Sequence, residues 1–309
     1  MQAGNRKAIL AALFANAGIA VAKFAGWAVT GAASMLAEGV HSVADSCNQA
    51  LLLWGGASSQ REPTDEHPFG FARERYFWSF VVALVIFSLG GLFAMYEGIH
   101  KVLDPHEVRS PEIAAGILLL GIVLEGFSFR TAVVESLKTK GQRSWWAFIR
   151  DTKNPELPVV LLEDLGALLG LVIALAGITL AAWTGDARYD AAGSIAIGVL
   201  LCVFAAVLAS EMRSLLIGEA ASKPDRDAIR AALAATEGVD QVIHMRTQHF
   251  GPDQLLVALK VQFDRGLSVE DLARAIDEAE ERIRQSVASA SLIFIEPDIY
   301  SSERASQAE

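Results

Sequence analysis

Cysteine is scarce in this sequence: Cys47 and Cys202 are the only two thiols in 309 residues. Both stand inside long apolar runs, where a thiol behaves as a small apolar side chain, which argues against a disulfide scaffold. Cys47 also lies two residues from Asp45, off that residue's helical face, and so makes a poor companion ligand to it. Positive charge is in deficit, with 26 Lys and Arg against 36 Asp and Glu for a net charge of −10. That balance argues against a nucleic-acid partner. Long charge-free runs are what the chain has in their place.

Hydrophobic residues make up 52% of the sequence and are unevenly spread, filling long stretches up to about Ile217. A helix crossing a bilayer core of about 30 Å needs roughly 20 mainly apolar residues. Six stretches meet that demand, near Ala8 to Thr30, Ala32 to Trp54, Tyr76 to Ile99, Ile113 to Val134, Pro158 to Trp183 and Ala191 to Ser210. The N-terminal run imitates a secretory signal, but its apolar character continues to Thr30 and five more spans follow, so an uncleaved first helix is expected. Basic residues collect in cytoplasmic loops. With the N-terminus cytoplasmic, the inner segments hold Arg6, Lys7, Arg61, Arg73, Arg75, Lys138, Lys140, Arg143, Arg150, Lys153 and Arg213, against Lys101, Arg109 and Arg188 outside. Both termini are therefore expected inside.

Ionisable groups within a span cost roughly 2.5 to 3.5 kcal/mol each on insertion scales, so each needs a reason. The second span carries Glu38, His41 and Asp45, whose spacing of three and four makes one polar stripe. Such a stripe is either a metal or proton site or an interhelical hydrogen-bond network, and three such residues on one face favour the site. The fifth span brings Glu163 and Asp164. Counted from the inner ends of their spans, His41 and Asp45 stand about nine to thirteen residues in and Asp164 about six to ten, a shared depth that lets them close one site. Imidazole with carboxylates suits Zn²⁺, with Fe²⁺, Mn²⁺ and Cd²⁺ as alternatives. Glu125, near the middle of the fourth span, could relay protons or bond a neighbouring helix. Lys23 is expected to snorkel outward, and Asp190 to anchor a helix end.

From Ala220 the order reads helix, strand, strand, helix, strand. Pro224 suits a first helical turn. Val239 to Thr247 and Leu255 to Phe263 look like strands joined through Gly251 and Pro252. Ser268 with Asp271 forms a capping pair for a helix carrying Leu272, Ile276, Ala279, Ile283 and Val287 on one face, and Ser291 to Ile295 closes the domain as a strand. The expected architecture is an all-α six-helix transmembrane domain at 1–217, a small two-layer α+β cytosolic domain at 218–300 and a disordered tail at 301–309.

The ordered set HSVAD, HPFG, an Asp-bearing fifth span, RTQHFGPD and FIEPD resembles the cation diffusion facilitator family over nearly the whole chain. The LLED form of the fifth span is closest to a divergent branch containing mitochondrial zinc transporters. The resemblance implies a homodimeric metal/proton antiporter with a ferredoxin-like tail, and a ligand pair from each of two spans. His41 and Asp45 match the first pair, and Asp164 matches the end of the second. Val160 stands where zinc transporters of the family have His or Asp, so one ligand is missing. Glu38, on the stripe, and Glu163, nearer the loss, are both open as its substitute.

Asp65 and His67 match a second family site that lacks its other His, since Phe71 stands there; a solvated turn is the alternative. In the tail, Glu296 matches a family ligand, while His244 is displaced by one residue from the usual position at Ile243, a step that reverses faces in a strand. His249 completes the tail candidates, with a polar dimer surface as the other reading.

Metal ligation needs neutral His and ionised carboxylates, so metal and protons compete for the same groups and exchange between them can drive antiport. The expected function is export of divalent metal, foremost Zn²⁺, from the cytosol in exchange for protons. An intramembrane metallohydrolase is the rival from another class, but H-E-x-x-H is absent; a passive cation channel is a third reading. The Ala, Gly and acidic content, with no targeting extension, leads to the expectation of a bacterial inner membrane.

Overall fold

A computed structural model describes the backbone of residues 3–300 and the side chains of residues 17–300. The expected tail at 301–309 and the side chains of Arg6 and Lys7 lie outside the described residues. Among the described residues two compact units emerge, one of residues 3–61 with 74–213, the other of 62–73 with 214–300.

The first unit is helical. It contains α1 (Ala3–Thr30), α2 (Ala33–Ser58), α3 (Glu74–Val85) continued through a π-helical turn at Ile86–Leu92 into α4 (Phe93–Leu103), α5 (Pro111–Lys140), the short α6 (Trp145–Asp151), α7 (Glu156–Thr184) and α8 (Arg188–Ile217). Among the described residues, four helices can cross a membrane by length and composition: Glu74–Leu103, Pro111–Lys140, Glu156–Thr184 and Arg188–Ile217. In α1 the stretch Ala17–Thr30 is apolar. The 26 residues of α2 are long enough but include Glu38, His41, Asp45, Asn48 and Gln49.

Two features depart from the sequence reading. The third span is not a uniform α-helix, because the backbone widens to a π turn where Gly90 and Gly91 stand together. There a Cβ on Gly198 of α8 would come within 2.8 Å of the Gly91 carbonyl oxygen, so small residues let the two backbones touch. The helix α6 was not foreseen. Ser144 caps it by accepting from the Ala147 N–H at 3.1 Å, and it buries Phe148 and Ile149 while Trp145 and Trp146 face outward.

The strongest packing pairs α5 with α7 and α1 with α2, and α2 also touches α7 and the third helical rod. Met35, Val82, Ile86, Leu118, Val159, Leu171, Ile197 and Leu208 form the centre of the core. The far side of α5 presents Leu119, Leu120, Val123 and Phe127 outward, an apolar surface suited to lipid.

Asp190 fastens the first end of α2. Ala32, the residue before that helix, gives no side-chain cap. The Asp190 carboxylate, from α8, instead accepts from the N–H of Ala33 at 2.8 Å and of Ser34 at 3.4 Å, and from the Ser34 hydroxyl. Lys101 donates to Asp190 Oδ2 and to the Gly31 carbonyl, both at 2.9 Å. The expected helix anchor is thus present, although the helix it holds is α2.

The second unit contains α9 (Lys223–Ala234), β1 (Val239–Gly251), β2 (Gln254–Phe263), α10 (Val269–Ser286) and β3 (Ala290–Pro297). The sheet order is β1-β2-β3, antiparallel in the first pair and parallel in the second. Alternate residues of β2, from Leu255 to Phe263, enter a core with Ile229, Leu233, Ala279 and Ile283 of the two helices. Ser268 accepts from the Asp271 N–H at 3.1 Å, the expected cap, and its hydroxyl with Arg274 holds the Asp271 carboxyl below the usual carboxylate range. Residues 62–73 belong to this unit as well. The Phe69 and Phe250 rings stand 5.3 Å apart, the Arg73 guanidinium lies 4.4 Å from the Phe250 ring centre, and Gln254 donates to the Phe69 carbonyl at 3.3 Å.

Asp190→Ala should be severely destabilising, because it leaves the 1%-exposed Lys101 unpaired and uncaps α2. Breaking a buried ion pair from one side costs about 3–5 kcal/mol. Thermal unfolding in detergent should show a large fall in midpoint, and an unchanged midpoint would refute this account of the α2 terminus.

Candidate metal site

The α2 stripe is buried along its length: Glu38, His41, Asp45 and Asn48 are each at most 6% exposed. His41 Nδ1 lies 3.6 Å from Asp45 Oδ1, one turn away. Across from them on α7, Glu163 takes a long hydrogen bond of 3.5 Å from Asn48 Nδ2 and lies within electrostatic reach of Asp45. Asp164 points elsewhere, accepting from Ser128 Oγ of α5 at 2.9 Å. Adjacent residues on a helix diverge by about 100°, so this acidic pair faces two neighbours, Glu163 toward α2 and Asp164 toward α5. Val160, at the position where the family resemblance implies a ligand, is 36% exposed.

Glu125 of α5 is nearly buried and lies within electrostatic reach of Asp45, His41 and Asp164. Opposite His41 runs the π turn. A Cβ on Gly90 would stand 3.6 Å from His41 Nδ1 and 3.0 Å from Leu201, so the glycine backbone forms a wall of the imidazole's pocket. A π turn often marks a functional site, but nothing in the local sequence beyond the Gly pair signals it.

Lys23 does not snorkel. It is 1% exposed and donates to Glu38 Oε2 at 2.9 Å and Ser42 Oγ at 2.8 Å. The snorkelling expectation treated the helix as isolated, whereas an acid on the adjoining helix offers a buried partner.

Several buried atoms have no hydrogen-bond partner: Glu38 Oε1, both His41 ring nitrogens, Asp45 Oδ1 and Asn48 Oδ1. Buried polar groups are normally paired, so a cluster of orphans calls for an explanation. All five, from four residues, are on one face of α2, and a cation or protons would satisfy them. Among the described residues, no three His, Cys, Asp or Glu side chains already converge on one ion position.

The other candidates are placed apart. Asp65 and His67 are exposed, and the His67 ring stacks on Phe71 with centres 4.7 Å apart. In β1, Val242 pairs with Val261 and His244 with Lys260, leaving Ile243 in a bulge. The extra residue returns His244 to the face of Glu296, which pairs with Lys260 from the other side. The expected face reversal is thereby corrected. His244 Nε2 accepts from Arg246 at 2.8 Å, and Glu296 is ion-paired to Lys260 at 2.9 Å. Bonds to Glu296 and Asp298 raise the Lys260 ammonium above its ordinary pKa. A resident cation thus stands between His244 and Glu296. His249 pairs with Leu255 on the core face, 3% exposed, its Nδ1 3.3 Å from the Gly251 carbonyl. The three tail candidates are not brought together.

Apolar helices enclosing a buried His and carboxylate cluster define a membrane protein that handles a cation. Residues 9–217 match the cation efflux transmembrane domain and residues 221–298 the cation efflux protein cytoplasmic domain, and the chain belongs to this family, which consists of transporters and not enzymes. The human mitochondrial proton-coupled zinc antiporter SLC30A9 is 31% identical over 264 residues, covering 84% of this chain and 46% of that protein. Metal tolerance protein C4 of Arabidopsis thaliana is 32% identical over 271 residues, 86% of this chain and 59% of its own length. The cation-efflux pump FieF of Pectobacterium atrosepticum is 25% identical over 276 residues, 89% and 86% respectively. The chain spans about half the length of the mitochondrial antiporters it matches.

Neighbouring carboxylates crowd each other when no cation shares them. Glu163→Gln should therefore make the protein more heat-stable in EDTA, by about 1 kcal/mol, while shrinking the stabilisation that added Zn²⁺ provides. Thermal unfolding with and without Zn²⁺ checks both, and an undiminished Zn²⁺ effect would remove Glu163 from the site.

Proposed function

We propose that this chain exports divalent metal, foremost Zn²⁺, from the cytosol in exchange for protons, as a homodimer whose six long helices cross the bilayer with both termini inside. The carrying observation is the row of orphaned buried donor atoms on α2, with Glu163 of α7 facing that helix. The relatives, a zinc antiporter and a cation-efflux pump, support the cargo and its direction. The match to the family's cytoplasmic domain at 221–298 supports pairing of two copies, and the tail order helix, strand, strand, helix, strand is that of a ferredoxin-like β-α-β-β-α-β unit less its first strand.

In this reading His41 and Asp45 hold the ion with Glu163, and Asp164 joins them on leaving Ser128, to which it is bonded here. Glu163 takes the place left by Val160, since it faces Asp45 while Glu38 is engaged by Lys23. His41 must shed its proton and the acids theirs before they ligate, so arrival of metal expels protons and arrival of protons expels metal. Glu125, close to Asp45 and Asp164, is the acid placed to pass protons on. Alternating access follows if the helices rock about a site of constant composition. The transport domain is 1–217 and the soluble domain 218–300, and Fe²⁺, Mn²⁺ and Cd²⁺ are the other ions this chemistry admits.

Proteoliposomes containing a trapped pH dye test the reading. Zn²⁺ movement should be accompanied by a dye response of opposite proton flow and should weaken as the metal-loading side is acidified. Asp45→Ala should lower Zn²⁺ flux by at least about a hundredfold, since losing even a group that only supports a metal ligand costs about 10–100-fold. Flux without any dye response would overturn antiport, and flux unaffected by Asp45→Ala would overturn the site.

A further inference from the structure

The exchange mechanism leaves one buried cation without a role. Lys23 reaches from α1 to two acceptors on α2, Glu38 and Ser42, at 2.9 and 2.8 Å. They flank His41 in sequence, three residues before it and one after. Among the described residues, the buried lysines are Lys23 and Lys101, and Lys101 is held by Asp190. Lys23 is therefore the positive charge enclosed with Glu38, His41, Asp45 and Glu163.

Glu38 has the position of a ligand but not the freedom of one. It stands on the His41 face, fully buried, with Oε1 lacking a hydrogen-bond partner. That oxygen lies against Gly170 of α7, where the Cβ of any other residue would collide with it. Its other oxygen is fixed to an ammonium. A divalent ion brought to the same carboxylate would meet that positive charge at short range and low dielectric, where repulsion is strong.

We propose that Lys23 is a specificity-determining residue, a built-in cation that withholds Glu38 from the transported ion and keeps one hard oxygen donor out of its coordination shell. Imidazole suits Zn²⁺, whereas oxygen-rich shells suit Mn²⁺. Neutralising Lys23 would release a carboxylate one turn from His41 and shift preference toward Mn²⁺. Lys23 acts through Glu38, so it is a positioning residue. The inference rests on the reading that His41 and Asp45 hold the ion.

The test uses the purified full chain, with Zn²⁺ and Mn²⁺ as probes in equilibrium binding and in proteoliposome flux. Lys23→Met should raise the Mn²⁺ to Zn²⁺ preference by about tenfold, and adding Glu38→Gln should return it to within about threefold of wild type. Glu38→Gln alone should bind Zn²⁺ within about threefold of wild type. A preference unmoved by Lys23→Met, or one that Glu38→Gln does not restore, would overturn the proposal. Should the unpaired acid keep Lys23→Met from folding, Glu38→Gln decides: unchanged Zn²⁺ affinity supports the proposal, and a loss beyond about tenfold makes Glu38 a ligand and overturns it. His41→Ala tests the underlying site separately, because undiminished Zn²⁺ binding there would sink that reading whatever Lys23 does.

Discussion

Ionisable side chains can remain in an apolar helical domain only when something answers their charge, and this constraint organises the helical unit. It is met in two ways. At one end of α2 the answer is complete: Asp190 neutralises Lys101 and caps the helix, and the two groups satisfy each other with backbone partners besides. Along the middle of α2 the answer is partial. Lys23 neutralises Glu38, while His41 and Asp45 keep atoms with no partner. The complete network reads as scaffold and the incomplete one as site. Burial alone does not separate them, since Asp190 is as buried as Glu38.

How much of this could be read from the sequence depends on the range of each interaction. The long helices are legible because apolar runs act residue by residue, and the α2 stripe is legible because three- and four-residue spacing is local. Ser268 with Asp271 is legible for the same reason. The Lys23–Glu38 pair is not, because a lone cation in an apolar run looks the same whether it snorkels or meets an acid on the next helix. Nor is the π turn, where Gly198 of another helix comes close to Gly91, a contact that the local sequence does not show. The seven residues of α6 are too few to show a period.

His244 illustrates a subtler limit. Counting along the chain puts it one step out of register with the family position, and one step in a regular strand reverses the face. The bulge at Ile243 absorbs that step, so His244 and Glu296 share a face after all. Yet Lys260 stands between them as a fixed counter-ion to Glu296. A ligand-like residue in the right place is therefore weaker grounds for a metal than a ligand-like residue whose charge is unanswered.

The same distinction bears on the acids of α7. Glu163 and Asp164 are neighbours in sequence, but one turns to α2 and the other to Ser128 of α5. The closest helix partners are α1 with α2 and α5 with α7, so the proposed ligands divide across the seam between two pairs, with His41 and Asp45 on one side and Glu163 and Asp164 on the other. Groups divided across a seam change their separation when the pairs shift, whereas groups within one pair do not. An ion needing donors from both sides gains ligands in one arrangement and loses them in another, while Glu38 moves with Lys23 in either case. Under the proposed exchange, the position of an acid relative to the seam, more than its distance along the chain, decides whether it takes part.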